Sequence, residues 1–408
     1  MLLSIDGLHS YFPSFPQINR SFALPLFRDS VSLNFWFSPP WLGFFYFVHL
    51  DITASIWVFY LITTIQRGIF NTIGLQSTQR IDLYSIEPYL AHQGMGSMIV
   101  FVLIGLWVGR SHLKDVFRKA LRGDEQVDDS GEMLSYRQAV FGLAISLVLV
   151  ALGLWMIGIP FVGVLLFLFG SMVLFLGLTR VVAEGGLAWN YAPMIASDFV
   201  AAGFGTRALG TSGIIAFSFT YVWASDILTF VMASCANGLK LAEDTIKRNR
   251  RLIFWAIIIA IVVSIASSIW MILKLAYTYG GINTDGFFFG WGARYPFDNA
   301  ASRIQSLEGP HWENWGFAAI GAGAMGLLML ARQRFLWWPF HPLGFPLSAV
   351  FSSAFFSIFL GWLLKSLIMK YGGVGFYVKT RAFFIGLILG QFATSGVWFV
   401  IHYFVAVR

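Results

Sequence analysis

Apolar runs of about 20 residues, each long enough to cross a hydrocarbon core of roughly 30 Å as a helix, recur along this 408-residue chain from residue 41 onwards. Charged residues make up only 12% of the sequence, against about 25% in an average soluble domain, and 57% of it is hydrophobic. The predicted fold class is therefore all-α, a polytopic integral membrane helix bundle. The runs at 41–65, 94–108, 138–157, 161–178, 213–236, 252–275, 315–331, 347–364 and 383–405 read as clear transmembrane helices. No stretch between them is large enough for a soluble domain.

The formal charge of +7 does not point to nucleic acid. Lys and Arg fall mainly in short segments between apolar runs, where orientation signals and lipid headgroups place them. Membrane lipid is the partner this pattern implies. The single cysteine, Cys235, excludes an intramolecular disulfide framework and a Cys-based metal site. Residues 1–40 carry Pro13, Pro16, Pro25, Pro39 and Pro40 among aromatics and read as an interfacial segment. They lack a basic stretch followed by a long apolar core, so a cleaved signal peptide is not expected. Either internal spans direct insertion, or the chain begins partway through a longer protein.

Residues 41–408 form the predicted transmembrane bundle, with two extramembrane parts. In the connector 110–137, Leu113, Val116, Phe117, Ala120 and Leu121 keep helical spacing, while Lys114, Arg118, Lys119 and Arg122 face the other way. That is a basic amphipathic helix on the membrane surface. Residues 279–314 are polar and glycine-rich, too short for a domain but long enough for a cap loop over one face.

One stretch breaks the apolar pattern: RVVAEGGLAWNYAPMIASDFVAAGFGTRALG, residues 180–210. Arg180 and Glu184, four apart, lie on one helical face and can pair. Gly185, Gly186 and Pro193 deny the helix a regular continuation. Non-helical backbone at membrane depth persists only where protein or a water-filled cavity surrounds it. The stretch thus reads as a broken or re-entrant segment lining a polar cavity, the alternative being an interfacial loop with a solvated ion pair. Charge counting favours a broken crossing. Basic connectors at 110–122 and 240–251 are separated by three clear spans, and an additional crossing through 184–205 would put both on one side. The predicted total is nine clear helices plus this broken one.

Intramembrane carboxylates are costly and usually face a partner or a water path. Asp51 and Asp226 stand deepest in apolar runs and are candidates for proton or cation coupling, or for pairing with Arg180, Arg207 or a helix terminus. His341, between two prolines, reads as an interfacial anchor, and Lys365 as a residue that snorkels to the interface. His49 and Asp51 point different ways on a helix, so they make no metal site. The HExxH, GxSxG and GxxxxGK[ST] patterns are missing from the sequence, and paired histidines suited to haem are not apparent. No catalytic residue, metal or cofactor is predicted, and an enzyme is not expected.

The segments DDSGEMLSYRQAVFG, TRVVAEGG, WWPFHPLGFPL, LLKSLIMKYGG and RAFFIGLILGQF resemble an uncharacterised family of bacterial polytopic membrane proteins. That family comprises two adjoining domains of unknown function and is loosely similar to oligopeptide transporters. The resemblance runs over nearly the whole chain. Its members are longer at the N-terminus than this sequence, so a fragment or a short form completed by another chain is one expectation. The resemblance implies a location in the bacterial inner membrane and a secondary-transporter-like permease for a small polar solute, such as a peptide or amino-acid derivative, with proton or cation coupling. In that reading Arg180, Glu184, Gly185, Gly186, Asn190 and Tyr191 bind or gate the solute, and Asp226 and Asp51 couple. The alternative is a non-transporting structural subunit of a larger complex. With 16 Trp and 42 Phe, the surface would suit either a homo-oligomer or partner membrane helices.

Overall fold

The apolar runs fold as helices in a computed structural model that describes residues 8–9, 11–12, 14–15, 20–79, 81–82, 85–187, 190–224, 230–245, 251–348, 350–351 and 353–406. In chain order, a hairpin of β1 (Ser21–Leu26) and β2 (Val31–Trp36) precedes α1 (Pro39–Phe47), α2 (Leu50–Ile73) and α3 (Pro88–Val108). Then come α4 (Arg110–Arg122), α5 (Tyr136–Met156), α6 (Phe161–Gly185), α7 (Ala196–Phe204), α8 (Thr206–Phe219), α9 (Tyr221–Ala224) and α10 (Val231–Thr245). The remainder is α11 (Arg251–Tyr279), α12 (Gly286–Phe289), α13 (Trp291–Gln305), α14 (Trp312–Arg334), α15 (Gly344–Leu347), α16 (Phe355–Leu367) and α17 (Gly373–Ala406).

Among the described residues, seven helices are long and apolar enough to cross a membrane: α2, α3, α5, α6, α11, α14 and the run Phe355–Val405. They mark an integral membrane protein. The seventh run is 51 residues long and contains a π-helical turn at Ile368–Gly372 followed by Gly373 with φ +63°. The sequence-based span at 213–236 is divided. Thr220 separates α8 from α9, and 225–229 lie outside the described residues. The first span also starts later than expected, because the chain turns extended at Val48 and His49 between α1 and α2.

The chain divides into two units. The first comprises 1–76, 185–187 and 324–408. Its hairpin lies in the segment whose prolines and aromatics read as interfacial, and it forms because Phe22 stacks on Phe35 across the strands, centroids 4.5 Å apart. Leu33 of the hairpin packs with Tyr60 and Phe355. A second group joins Leu42, Tyr46 and Phe384, the Tyr46 and Phe384 rings stacking at 3.6 Å. Lys365 does not snorkel outward: it is buried and donates to the Val48 carbonyl at 2.7 Å. The break between α1 and α2 frees that carbonyl from helical pairing, and the ammonium satisfies it. His341 is likewise more than a surface anchor, since its backbone N–H donates to Ser55 Oγ of α2 at 2.6 Å.

The second unit comprises 77–184 and 188–323. α3 and α14 approach closely: a Cβ on Gly96 would stand 2.0 Å from the Ala318 carbonyl oxygen, and one on Gly321 would stand 2.0 Å from that of Gln93. Only small residues permit such contact between membrane helices. α5 opens on a capping box, Ser135 Oγ accepting from the Gln138 N–H and Gln138 Oε1 accepting from the Ser135 N–H, both at 3.3 Å. No residue of α11 is buried.

Candidate functional site

α6 ends at Gly185, and Gly186 follows in the left-handed region at φ +63°, a conformation glycine takes without a Cβ clash. On the last turns of α6, Arg180 Nε donates to Glu184 Oε1 at 2.8 Å, and Arg180 Nη1 to the Phe101 carbonyl of α3, also at 2.8 Å. The guanidinium lies 4.1 Å over the Phe101 ring. It fits there because Gly105 has no side chain: a Cβ would stand 1.8 Å from Nη1. The four-residue spacing thus brings the pair together, half-exposed at the end of α6.

From Gly186 to Ile195 the described backbone is non-helical. It runs beside helices of membrane length. Pro193 packs on Gly94 of α3, and its carbonyl accepts from the Ile86 N–H at 3.2 Å. At the start of α7, Ala196 and Phe199 sit against Gly170, near the middle of α6. Within this segment Asn190 is 1% exposed, and neither of its side-chain polar atoms has a hydrogen-bond partner among the described residues. Buried amides seldom go unsatisfied, so Asn190 is a group available to a bound molecule. Tyr191 is exposed.

The most strongly charged interior lies next to this segment. Asp198, fully buried in the first turn of α7, ion-pairs with Arg303 of α13, itself 8% exposed. Its other oxygen accepts from Ser85 Oγ at 2.6 Å and from the Asp82 N–H at 3.0 Å. Ser85 Oγ in turn accepts the Ile195 N–H at 3.1 Å, tying the loop before α3 to the start of α7. Asp82, also buried, accepts from the Tyr221 hydroxyl and, at 3.1 Å, from Asn299 Nδ2, one turn before Arg303 on α13. Burial opposes charge on Arg303, but the Asp198 carboxylate and, less strongly, Tyr221 and Asp82 outweigh it and raise its pKa. The guanidinium stays charged.

Two polar groups adjoin this cluster. Gln79 Oε1 lies 2.6 Å from Asn314 Nδ2 and 3.0 Å from His92 Nε2, while Asn314 Nδ2 also donates to Ser77 Oγ at 3.0 Å. Gln79 Nε2, His92 Nδ1, Asn314 Oδ1 and Trp315 Nε1 have no partner among the described residues. On the other side, Glu308 and His311 pair at 2.9 Å. Their loop is held by the break between α7 and α8: the Arg207 N–H donates to the Glu308 carbonyl and the His311 N–H to that of Ala202, both at 3.0 Å. Gly205, at φ +81°, makes that break and leaves room for Gly309.

Two further sequence candidates are Asp51 and Asp226. Asp51 pairs with Arg332 at 2.9 Å, both side chains more than a third exposed, within the first unit. Asp226 falls in 225–229, outside the described residues. No group of three His, Cys, Asp or Glu side chains able to hold a metal occurs among the described residues. Sequence reading missed Asp82, Asp198, Asn299 and Arg303, because Asp82 looked like connector and the α13 residues like cap. A carboxylate inside the apolar run IASDFVAAGF was the available signal.

The helices and this interior define a polytopic α-helical membrane protein with a buried charged cluster beside a broken helix. The chain belongs to the family of unknown function DUF6785, whose model matches residues 1–408. No curated protein and no solved structure matches it.

Proposed function

We propose that the protein is a secondary-transporter-like permease of the bacterial inner membrane, moving a small polar solute with proton or cation coupling. The observation that carries this reading is the described non-helical backbone between Gly186 and Ile195, packed beside α3 and the middle of α6, where the buried Asn190 has no side-chain partner among the described residues. Unwound backbone at that depth costs free energy unless it lines a cavity or contacts a ligand, and broken helices are a common way of building transporter sites. In this reading Gly185 and Gly186 end the helix, Asn190 and Tyr191 contact the solute, and the half-exposed Arg180–Glu184 pair gates. The coupling carboxylates are Asp82 and Asp198, with Asp226 a further candidate. Asp51, ion-paired with Arg332, becomes a secondary one.

Reconstitution tests this. Proteoliposomes under an inward proton gradient, offered radiolabelled alanine, dialanine and trialanine in turn, should accumulate at least one of them above protein-free vesicles. Asn190→Ala and Glu184→Gln should each lower the initial rate about tenfold. Uptake no higher than in protein-free vesicles across the panel, with or without the gradient, would remove the reading for peptides and amino acids.

One observation favours the second reading, a structural subunit. α11 has no buried residue along its 29 positions, so its apolar surface is open to lipid or to partner membrane helices. Purification in mild detergent separates the two. A single-component particle fits the permease, whether monomer or homo-oligomer, and obligatory co-purification of other membrane chains fits the subunit.

A further inference from the structure

Two small cavities in the second unit share Arg303 in their linings. The first, about 10 Å³, is lined by Gln79, Ala201, Thr206, Arg303, Ser306 and Glu308. The second, also about 10 Å³, has Ser197, Thr206, Ser218, Tyr221, Asn299 and Arg303 among its lining residues. Each is at the lower limit of the space one water molecule needs, roughly 10–15 Å³, and each offers the two to four polar partners that buried water requires. Thr206 and Arg303 belong to both linings, so the cavities are consecutive.

Unmet hydrogen bonding points the same way. Gln79 lines the first cavity and is almost fully buried. Its Oε1 is occupied by Asn314 and His92, yet its Nε2 has no partner among the described residues. A buried amide N–H in that condition is costly, and an adjoining water is the usual remedy. At one end of the pair of cavities stands Glu308, partly exposed and joined to His311. At the other stands Tyr221, whose hydroxyl donates to Asp82.

We propose that both cavities hold ordered water and that this water forms a hydrated route from the Glu308–His311 pair to the buried Tyr221–Asp82 pair. The route rests on the coupling reading for its purpose, as a path for protons to the buried carboxylates, but not for its existence. Along it, a proton released at Glu308 or His311 passes to water. Water then protonates the Tyr221 oxygen as that hydroxyl gives its own proton to Asp82. The charged groups facing the route are Glu308, His311, Arg303, Asp198 and Asp82. Asp198 neutralises Arg303, so a migrating proton does not meet an uncompensated cation there.

X-ray hydroxyl-radical footprinting of the full chain in nanodiscs tests the proposal, because radiolysis of bound water oxidises the side chains beside it. Tyr221 and Phe217, which also lines the second cavity, should oxidise at least tenfold faster than Phe45 and Tyr46, which are fully buried elsewhere. Mixing with ¹⁸O-water before the pulse should transfer the heavy isotope to those products, and Ala201→Val, which fills the first cavity, should slow that transfer about tenfold. Oxidation no faster than at Phe45 and Tyr46 would overturn the bound water. Isotope exchange unchanged in a folded Ala201→Val protein would overturn the route. If that variant does not fold, Glu308→Gln and wild type compared at increasing mixing times decide the same question, with equal exchange rates counting against the route. Failure of the permease reading would appear as absent uptake, which this labelling does not depend on.

Discussion

Asp198 and Asp51 are both carboxylates paired with an arginine, and burial separates their consequences. Asp198 has no solvent exposure and accepts from Arg303, Ser85 and the Asp82 backbone. Removing its charge leaves a buried guanidinium uncompensated, a change that typically costs about 3–5 kcal/mol. Asp198→Asn should therefore lower the thermal unfolding midpoint in detergent markedly or prevent recovery of folded protein. Asp51 and Arg332 are 37% and 41% exposed, and pairs of that kind contribute about 0–1 kcal/mol. Asp51→Asn should leave the midpoint within a few degrees of wild type. A reversed order would contradict the burial of the Asp198–Arg303 pair. In the sequence Asp51 stood out because its neighbours are apolar. Asp198 did not, because its partners Arg303 and Asp82 are 105 and 116 positions away and only the folded chain joins them. The Arg180–Glu184 pairing was legible for the opposite reason, being fixed by one turn of helix.

At the scale of elements, two glycines set where helices stop. Gly186 has φ +63° with open space around it, so Gly186→Ala should cost only the left-handed strain, about 1–2 kcal/mol. Gly205 combines φ +81° with a would-be Cβ only 2.9 Å from the Gly309 carbonyl carbon, so Gly205→Ala should cost more and loosen the 306–311 loop. Hydrogen–deuterium exchange checks this: faster exchange at Arg207 and His311 is expected in the Gly205 variant, and not in the Gly186 variant. The paired glycines, each about 1 kcal/mol less favourable in a helix than alanine, made the end of α6 readable. The hairpin was hidden by Pro25, which ordinarily argues against a strand. In a two-stranded sheet each strand is an edge, so a missing N–H is tolerated, and Pro25 pairs opposite Ser32. The split at Thr220 was equally invisible, because 213–236 is predominantly apolar and composition does not report where a helix is interrupted.

For the whole molecule, apolar character and burial are separate properties. α11 is the most hydropathic candidate span and no residue of its window is buried, whereas half of the α6 window is buried. Substitution should separate them: Ile259→Ala, at a position 61% exposed, should change stability by less than about 0.5 kcal/mol. Ile56→Ala, at a fully buried position of α2, should cost about 2–5 kcal/mol. Equal losses would mean that α11 is packed against something in the purified particle. The apolar runs made the fold class plain, because a membrane admits few ways to satisfy backbone polar groups. They could not reveal which helices face the interior. In the proposed permease the break after α6 borders a polar, water-accessible cavity, and cysteine accessibility checks this. In a Cys235→Ser background, which removes the single native cysteine, Tyr191→Cys in nanodiscs should react with a charged methanethiosulfonate reagent nearly as fast as Gly131→Cys in the exposed connector. A rate as slow as that of Ile259→Cys, on the apolar face of α11, would contradict it.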